Sequence, residues 1–232
     1  MLVRMKSSQT LPIAIMLGGV ILASAVYFSM GGQWPSFATH SGDPTRVRPV
    51  DASDHVLGNP TAQVIVVEYA DFDCGYCKDL FSSLHQIIAN AGAKGHVAWV
   101  YREFPLSELH ANALAHARAA ECAAKIAGTD AFWAFAALLF DNQPANPSSY
   151  GALAKQAGVQ DRDAFATCYT DAANQVDVRI KADRKNALDA GASGTPYSLL
   201  LVNGQVTRVI DGAYSYDALN QLVTEALASV TQ

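Results

Sequence analysis

The stretch AQVIVVEYADFDCGYCKDLF, residues 62–81, decides the fold. Its first half is a near-continuous β-branched run, the mark of a strand buried on both faces. Cys74 and Cys77 follow at once, separated by two residues. Beyond them Leu80, Phe81, Leu84, Ile87 and Ile88 recur at helical spacing, and Gly92 is predicted as the C-cap. HVAWVYREF (96–104) is a second strand, so strand, helix and strand form a βαβ unit with parallel strands. Cys74 then stands at the N-terminus of the helix, with Cys77 one turn inside it.

Helical patterns follow over 107–128, 130–140 (from an Asp130 cap), 148–158 and 161–191, the last long enough to be broken once. The chain then returns to strand. YSLLLVNGQVTRVIDG carries Asn203-Gly204 between two β-rich runs, a type I′ hairpin signal. SYDALNQLVTEALASV (215–230) closes as an amphipathic helix. The order is βαβ, an all-helical block over about 107–191, then ββα. With the block removed, this α/β order is a thioredoxin fold.

Half of the 232 residues are apolar, enough for a full core in one domain. A formal net charge of −5 argues against nucleic acid as a partner. Near the start, Arg4 and Lys6 precede an uncharged run from Leu11 to Met30. A helix of about 20 such residues spans a bilayer. No Lys or Arg lies in GGQWPSFATHSGD after it, which leaves the remainder outside the cytoplasm. The expectation is a single-pass bacterial cell-membrane anchor within 1–30. The alternative is a signal segment cleaved near Ala25, at Ala23-Ser24-Ala25, giving a periplasmic or secreted protein. Residues 31–57, rich in Gly, Pro, Ser, Thr and Asp, read as a flexible linker, and 58–232 as the exported domain.

The chemistry of the cysteines follows from their position. Orphan amides and the macrodipole at a helix N-terminus stabilise an anion and lower a cysteine pKa from about 8.5 into the range of roughly 3.5–7.5. Cys74 is the exchanging thiol, and Cys77 resolves the mixed disulfide. Metal binding would need four ligands, and Cys122 and Cys168 stand alone in separate predicted helices, so neither metal nor cofactor is expected. A purely structural C-x-x-C bridge closes almost no loop and adds little stability.

With EYADFDCGYC, REFPL and His110 after it, AAECAA, Phe132-Trp133, Gly194-Thr195-Pro196 and the VNG hairpin, the sequence resembles the DsbA-type branch of the thioredoxin superfamily, and within it the membrane-tethered bacterial members. The resemblance implies that Pro196 is cis and faces the cysteine pair. Thr195, Pro196, Gly75 and Tyr76 would then contact substrate. It implies that Glu68 is a buried acid relaying a proton to or from Cys77; the alternative is a strand-end glutamate in solvent. The implied activity is thiol–disulfide exchange that introduces disulfides into exported proteins, with re-oxidation by a membrane quinone-linked partner of the DsbB-like or VKOR-like kind. One departure bears on direction. The strongest oxidases of this family carry Pro-His where this chain has Gly75-Tyr76, and Gly-Tyr with Thr-Pro resembles the periplasmic isomerases. Isomerase or reductase is therefore the second reading, and a redox-inert chaperone or peptide-binding domain the third.

Among the remaining polar residues, Asp71 and Asp73 read as solvated loop acids and His85 and His110 as structural histidines. Arg179, Lys181, Arg184 and Lys185 read as a solvated helix face. Cys122 and Cys168, at small-residue positions facing a packed interior, are expected to form a structural disulfide in an oxidising compartment, against the alternative of two buried free thiols.

Overall fold

The computed structural model describes residues 42–171 and 175–230. The Leu11–Met30 run and the first part of the expected linker lie outside the described residues. Within them, no helix is long and apolar enough to cross a membrane.

The sheet has five strands rather than the four predicted. The added one, β1 (His55–Gly58), begins inside the expected linker and is too short to show a period. It pairs antiparallel with β3 (Val97–Glu103), and β3 pairs parallel with β2 (Val64–Ala70). Gly58 is needed at that crossing: its φ is +101°, and a Cβ there would meet the Val97 carbonyl oxygen at 2.9 Å. Every residue of β2 and β3 is buried, as a continuous apolar run requires. Then β4 (Tyr197–Val202) pairs antiparallel with β2, and β5 (Gln205–Asp211) with β4, giving the order β1-β3-β2-β4-β5. Asn203 and Gly204 both hold positive φ, 51° and 78°, as a type I′ turn demands.

Helix α1 (Gly75–Asn90) carries the apolar stripe onto the sheet, burying Leu80, Phe81, Leu84 and Ile87. Gly92 is not its C-cap. The chain tightens into a 3-10 turn at Gly92–Lys94, and the left-handed residue is Gly95, φ 77°. What Gly92 supplies is room, since a Cβ there would stand 3.1 Å from the Ile88 side chain. The helical block comprises α2 (Ala113–Ala127), α3 (Thr129–Asp141), α4 (Tyr150–Gln156), α5 (Arg162–Thr170) and α6 (Gln175–Asp189), so the pattern over 161–191 is two helices. Gly128, φ 86°, turns the chain between α2 and α3, which leaves Asp130 in the first turn rather than at the cap. Helix α7 (Tyr216–Val230) closes the fold.

Side-chain alternation divides the sheet between two cores. Val66, Trp99, Tyr101 and Leu200 pack with α1, α7 and most of the helical block. Ile65, Val67, Val100 and Leu199 face the other way and are covered by Ala187 and Ala190 at the end of α6.

Residues 42–57 are not a tether. They fold against the domain, because β3 carries Arg102 with its side chain fully buried, and a buried guanidinium is stable only when paired and hydrogen-bonded. Asp54 supplies the pair, accepting from Nε and Nη2 of Arg102 at 2.9 Å each. Tyr69, Asn186 and the Pro49 carbonyl take the remaining donors. The basic face expected on α6 is also largely occupied. Arg179 pairs with Glu121 and donates to the Ser53 carbonyl, and Arg184 lies over the Phe104 ring and pairs with Glu108. Lys181 and Lys185 are exposed.

Cys122 of α2 and Cys168 of α5 are joined by a disulfide with a Cα–Cα distance of 5.8 Å. The bridge closes a loop of separation 46 and staples two helices of the inserted block. Replacing both residues by Ala should lower the unfolding free energy by about 4 kcal/mol in the chain-entropy account, read as a shift in urea midpoint. An unchanged midpoint would show that the bridge does not constrain the unfolded chain.

Candidate active site

Cys74 is the residue on which α1 starts. Its backbone is extended (φ −77°, ψ 121°) and no side chain caps the helix. Its own N–H donates to the Asp71 carbonyl at 3.1 Å, closing a tight turn between strand and helix. The open amides of the first turn are therefore left for the sulfur.

The two thiols are driven apart in acidity. The Cys74 pKa is lowered to about 6, first because the Cys77 thiol donates to its sulfur. Burial opposes this, while the Thr195 side chain and the amides of Cys77 and Tyr76 add to it. Cys77 is fully buried, and that burial pushes its thiol well above the usual range, with the hydrogen bond and charge of Cys74 and the charge of Glu68 adding. The Asp71 amide, at 3.5 Å, is a donor that acts the other way. As a neutral thiol, Cys74 donates to the Thr195 carbonyl at 3.4 Å. The Thr195 hydroxyl, buried and otherwise unpartnered, is then the donor available to the thiolate.

Thr195 is joined to Pro196 by a cis peptide bond. The Pro196 carbonyl accepts from the Gly212 amide at 3.0 Å, which fixes this loop to the end of β5. On the outer side Tyr76 is 70% exposed, and at Gly75 a Cβ would meet nothing within 4 Å. The surface beside the sulfur is thus open to a partner. Glu68, by contrast, lies in the middle of β2 with no exposure. Burial is the main cause that raises its pKa to about 8, against a hydrogen bond from the Trp99 indole at 2.9 Å; the Cys74 charge adds to the rise. A carboxyl that holds its proton near neutrality can give it to, or take it from, a nearby thiol.

Seven of the sequence-predicted residues therefore gather in one place: Glu68, Cys74, Gly75, Tyr76, Cys77, Thr195 and Pro196. The Cys122–Cys168 bridge stands apart in the helical block. The reading of Asp71 and Asp73 as solvated acids is corrected. Asp71 is 1% exposed, and its carboxylate accepts from the Asp73 amide at 2.8 Å, the Leu106 amide at 2.7 Å and His110 Nδ1 at 2.9 Å. Asp73 accepts from His116 Nε2 at 3.0 Å, and the His116 Nδ1 stands 2.6 Å from the Tyr150 hydroxyl. Burial holds His116 below the usual histidine range, against the Asp73 contribution.

Sequence reasoning missed Gln143 altogether. Its side-chain amide donates to the Phe72 carbonyl at 2.6 Å and the Cys74 carbonyl at 3.2 Å, tying the end of α3 to the cysteine loop. No local pattern marks such a residue. The signal for Asp71 and His110 was there, an acid set three residues before a reactive cysteine and a histidine after the second strand. A cavity of about 820 Å³ between α4 and α5, walled by Tyr150, Phe165 and Tyr169, includes none of these residues.

A family model described as Thioredoxin matches residues 51–225. A thioredoxin-like oxidoreductase from Silicibacter pomeroyi superposes with a TM-score of 0.63 at 27% identity, covering 77% of this chain and 94% of that one. Oxidised BdbD from Bacillus subtilis gives 0.67 at 24% identity, over 81% and 100%. The thiol-disulfide exchange protein alpha-DsbA2 from Wolbachia pipientis gives 0.64 at 22%, over 75% and 88%. Among curated proteins, the Na(+)/H(+) antiporter NhaA 1 of Salinispora arenicola is 34% identical over 182 residues, 78% of this chain and 26% of that protein. The chain thus spans about a quarter of the length of that relative, whose named transport belongs to the longer protein. A match over most of the chain to the family model, joined to a cis-proline loop facing Cys74 and a helical insertion after the βαβ unit, means that the chain belongs to the thioredoxin family and has the fold of its DsbA-type members.

Proposed function

We propose that this protein is an exported thiol–disulfide oxidoreductase whose Cys74–Cys77 disulfide is passed to cysteine pairs of exported proteins. The observation that carries this reading is the asymmetry of the two thiols, Cys74 held near 6 and Cys77 pushed well up. A substrate thiolate attacks Cys74 Sγ; the Cys74–Cys77 bond breaks, and Cys77 leaves with the electron pair and takes a proton, for which Glu68 is the candidate donor. The substrate's second thiolate then attacks the substrate sulfur of the mixed disulfide, and Cys74 leaves as a thiolate. Two electrons remain on the enzyme. A low pKa makes Cys74 a good leaving group, and the final step runs toward substrate oxidation. Lowering a thiol from 9.0 to about 6 favours its thiolate by roughly 4 kcal/mol; at pH 7 about 1.4 kcal/mol of this stabilises the reduced enzyme, on the order of 30 mV for a two-electron couple.

Export and tethering rest on the Leu11–Met30 run and the lack of Lys or Arg after it. The domain plan is then an anchor, a short connection and a redox domain beginning near residue 42. The partner that removes the two electrons is, by resemblance, a membrane quinone-linked oxidase. Full-length protein should stay in the membrane fraction after carbonate washing; a soluble form beginning near Val26 would replace the anchor with a cleaved signal.

Cys74→Ser should abolish oxidative refolding of a reduced substrate, and Cys77→Ser should accumulate mixed disulfides. The reduction potential should lie above the value of about −270 mV typical of thioredoxin. A potential at or below it, with activity only in insulin reduction, would assign the site to the reductase reading.

Glu68 gives a pH test. Its folded pKa, about 8, is raised above the ordinary 4.5. Its contribution to stability is therefore complete below 4.5 and is lost as pH rises toward 8. Across that window the reduced wild-type protein should lose up to about 1.4 kcal/mol per pH unit relative to Glu68→Gln. Urea melts at several pH values check this, and parallel curves for the two proteins would sink it.

A further inference from the structure

His110 has the geometry of more than a structural histidine. It lies on the loop after β3, its side chain is 28% exposed, and its Nδ1 is 2.9 Å from Asp71 Oδ2. Asp71 in turn touches both thiol residues through its backbone: its amide faces Cys77 Sγ at 3.5 Å, and its carbonyl accepts the Cys74 amide at 3.1 Å. A charge on His110 is thus presented to the cysteine loop through a carboxylate built into that loop.

We propose that His110, held by Asp71, is a positioning residue for exchange that sets how readily Cys74 ionises, supplying from the loop after β3 the cation that Gly75-Tyr76 does not carry. The proposal rests on the reading of Cys74 as the exchanging thiol. Asp71 and Asp73 flank the turn and oppose a thiolate there. His116 of α2 faces Asp73, but its burial disfavours the charged form. Arg184 of α6, a cation near the His110 loop, is engaged with Glu108. His110 is the group bonded directly to one of the two carboxylates whose charge is favoured there. Burial disfavours its charge, yet the Asp71 hydrogen bond and charge outweigh burial, the Cys74 and Asp73 charges add to them, and its pKa is raised from 6.5. With Cys74 at about 6, there is a window near neutrality in which thiolate and imidazolium coexist. Because their coupling is reciprocal, a thiolate that favours the imidazolium is itself favoured by it.

The test is the thiolate titration of the reduced protein, followed by ultraviolet absorbance and by the pH dependence of alkylation at Cys74. His110→Gln keeps a donor for Asp71 but cannot be charged; it should cut the alkylation rate near pH 6 roughly twofold or more, the effect of about half a pKa unit. His110→Lys keeps a cation and should restore most of the rate. Raised ionic strength should narrow the gap between wild type and His110→Gln. A titration identical in wild type and His110→Gln would overturn the proposal, as would equal losses in the Gln and Lys variants, which would mark a packing role. Urea midpoints of both variants separate a folding defect from a charge effect. If unsubstituted protein failed to catalyse exchange at all, the proposed function would fall, while the titration would still decide the His110 proposal.

Discussion

The carboxylate of Asp71 is the point on which the reactive end of this fold depends. It sits where β2 has ended and α1 has not begun, in a turn with few backbone partners of its own. Its three acceptor contacts, to Asp73, Leu106 and His110, hold the turn closed and pin the loop after β3 against it. Its amide and carbonyl meanwhile touch Cys77 and Cys74. A buried carboxylate is costly unless its lone pairs are filled. Filling them requires the β2–α1 turn and the loop leaving β3 to meet, so the parallel pairing of β2 and β3 and the placement of Cys74 are parts of one arrangement.

The helical block is joined to the same turn by side chains rather than by the sheet. Gln143 reaches the carbonyls of Phe72 and Cys74 from the end of α3. His116 of α2 reaches Asp73 and is itself backed by Tyr150 of α4. Such contacts fix the peptide planes around Cys74 and hence the direction of the amides that face its sulfur. The Cys122–Cys168 bridge joins α2 to α5, so the support that reaches the turn through α2 is covalently braced. The stability of the insertion and the geometry of the thiol are therefore linked, although no residue of the bridge lies at the site.

How far the sequence could be read follows from where each interaction is recorded. The β2–α1–β3 unit, the hairpin and the cysteine pair are written in local periodicity and turn chemistry, and the order of elements follows from them. The breaking of 161–191 into α5 and α6 was visible as excess length. Strand β1 was not legible, because four residues carry no period and its partner lies forty or more positions away. Residues 42–57 looked like a linker because their partner, Arg102, is buried on a distant strand. Asp71 and Asp73 were misread for a related reason: an aspartate in a loop is usually solvated, and only the tertiary approach of His110 and His116 makes these two exceptions. Gln143 left no trace, since a polar residue at the end of a helix is ordinary until its acceptors are known.

The dipeptide between the cysteines can now be weighed differently. In the sequence, Gly75-Tyr76 argued against a strongly oxidising pair, because the strongest oxidases of the resembled family carry Pro-His at those positions. In the fold, the acidity of Cys74 draws on Cys77, on the Thr195 side chain and on the amides of Tyr76 and Cys77, all of which are independent of the dipeptide's side chains. A glycine at the first position puts no side chain beside Cys74, and Tyr76 turns outward. The dipeptide then governs access more than acidity. Acidity is governed by what surrounds the turn, where the carboxylates of Asp71 and Asp73 oppose the thiolate and the amides and His110 favour it. A balance of that kind is set by groups on the β2–α1 turn, the start of α1, the loop after β3 and the cis-proline loop, which is why the C-x-x-C sequence alone does not fix the direction of electron flow.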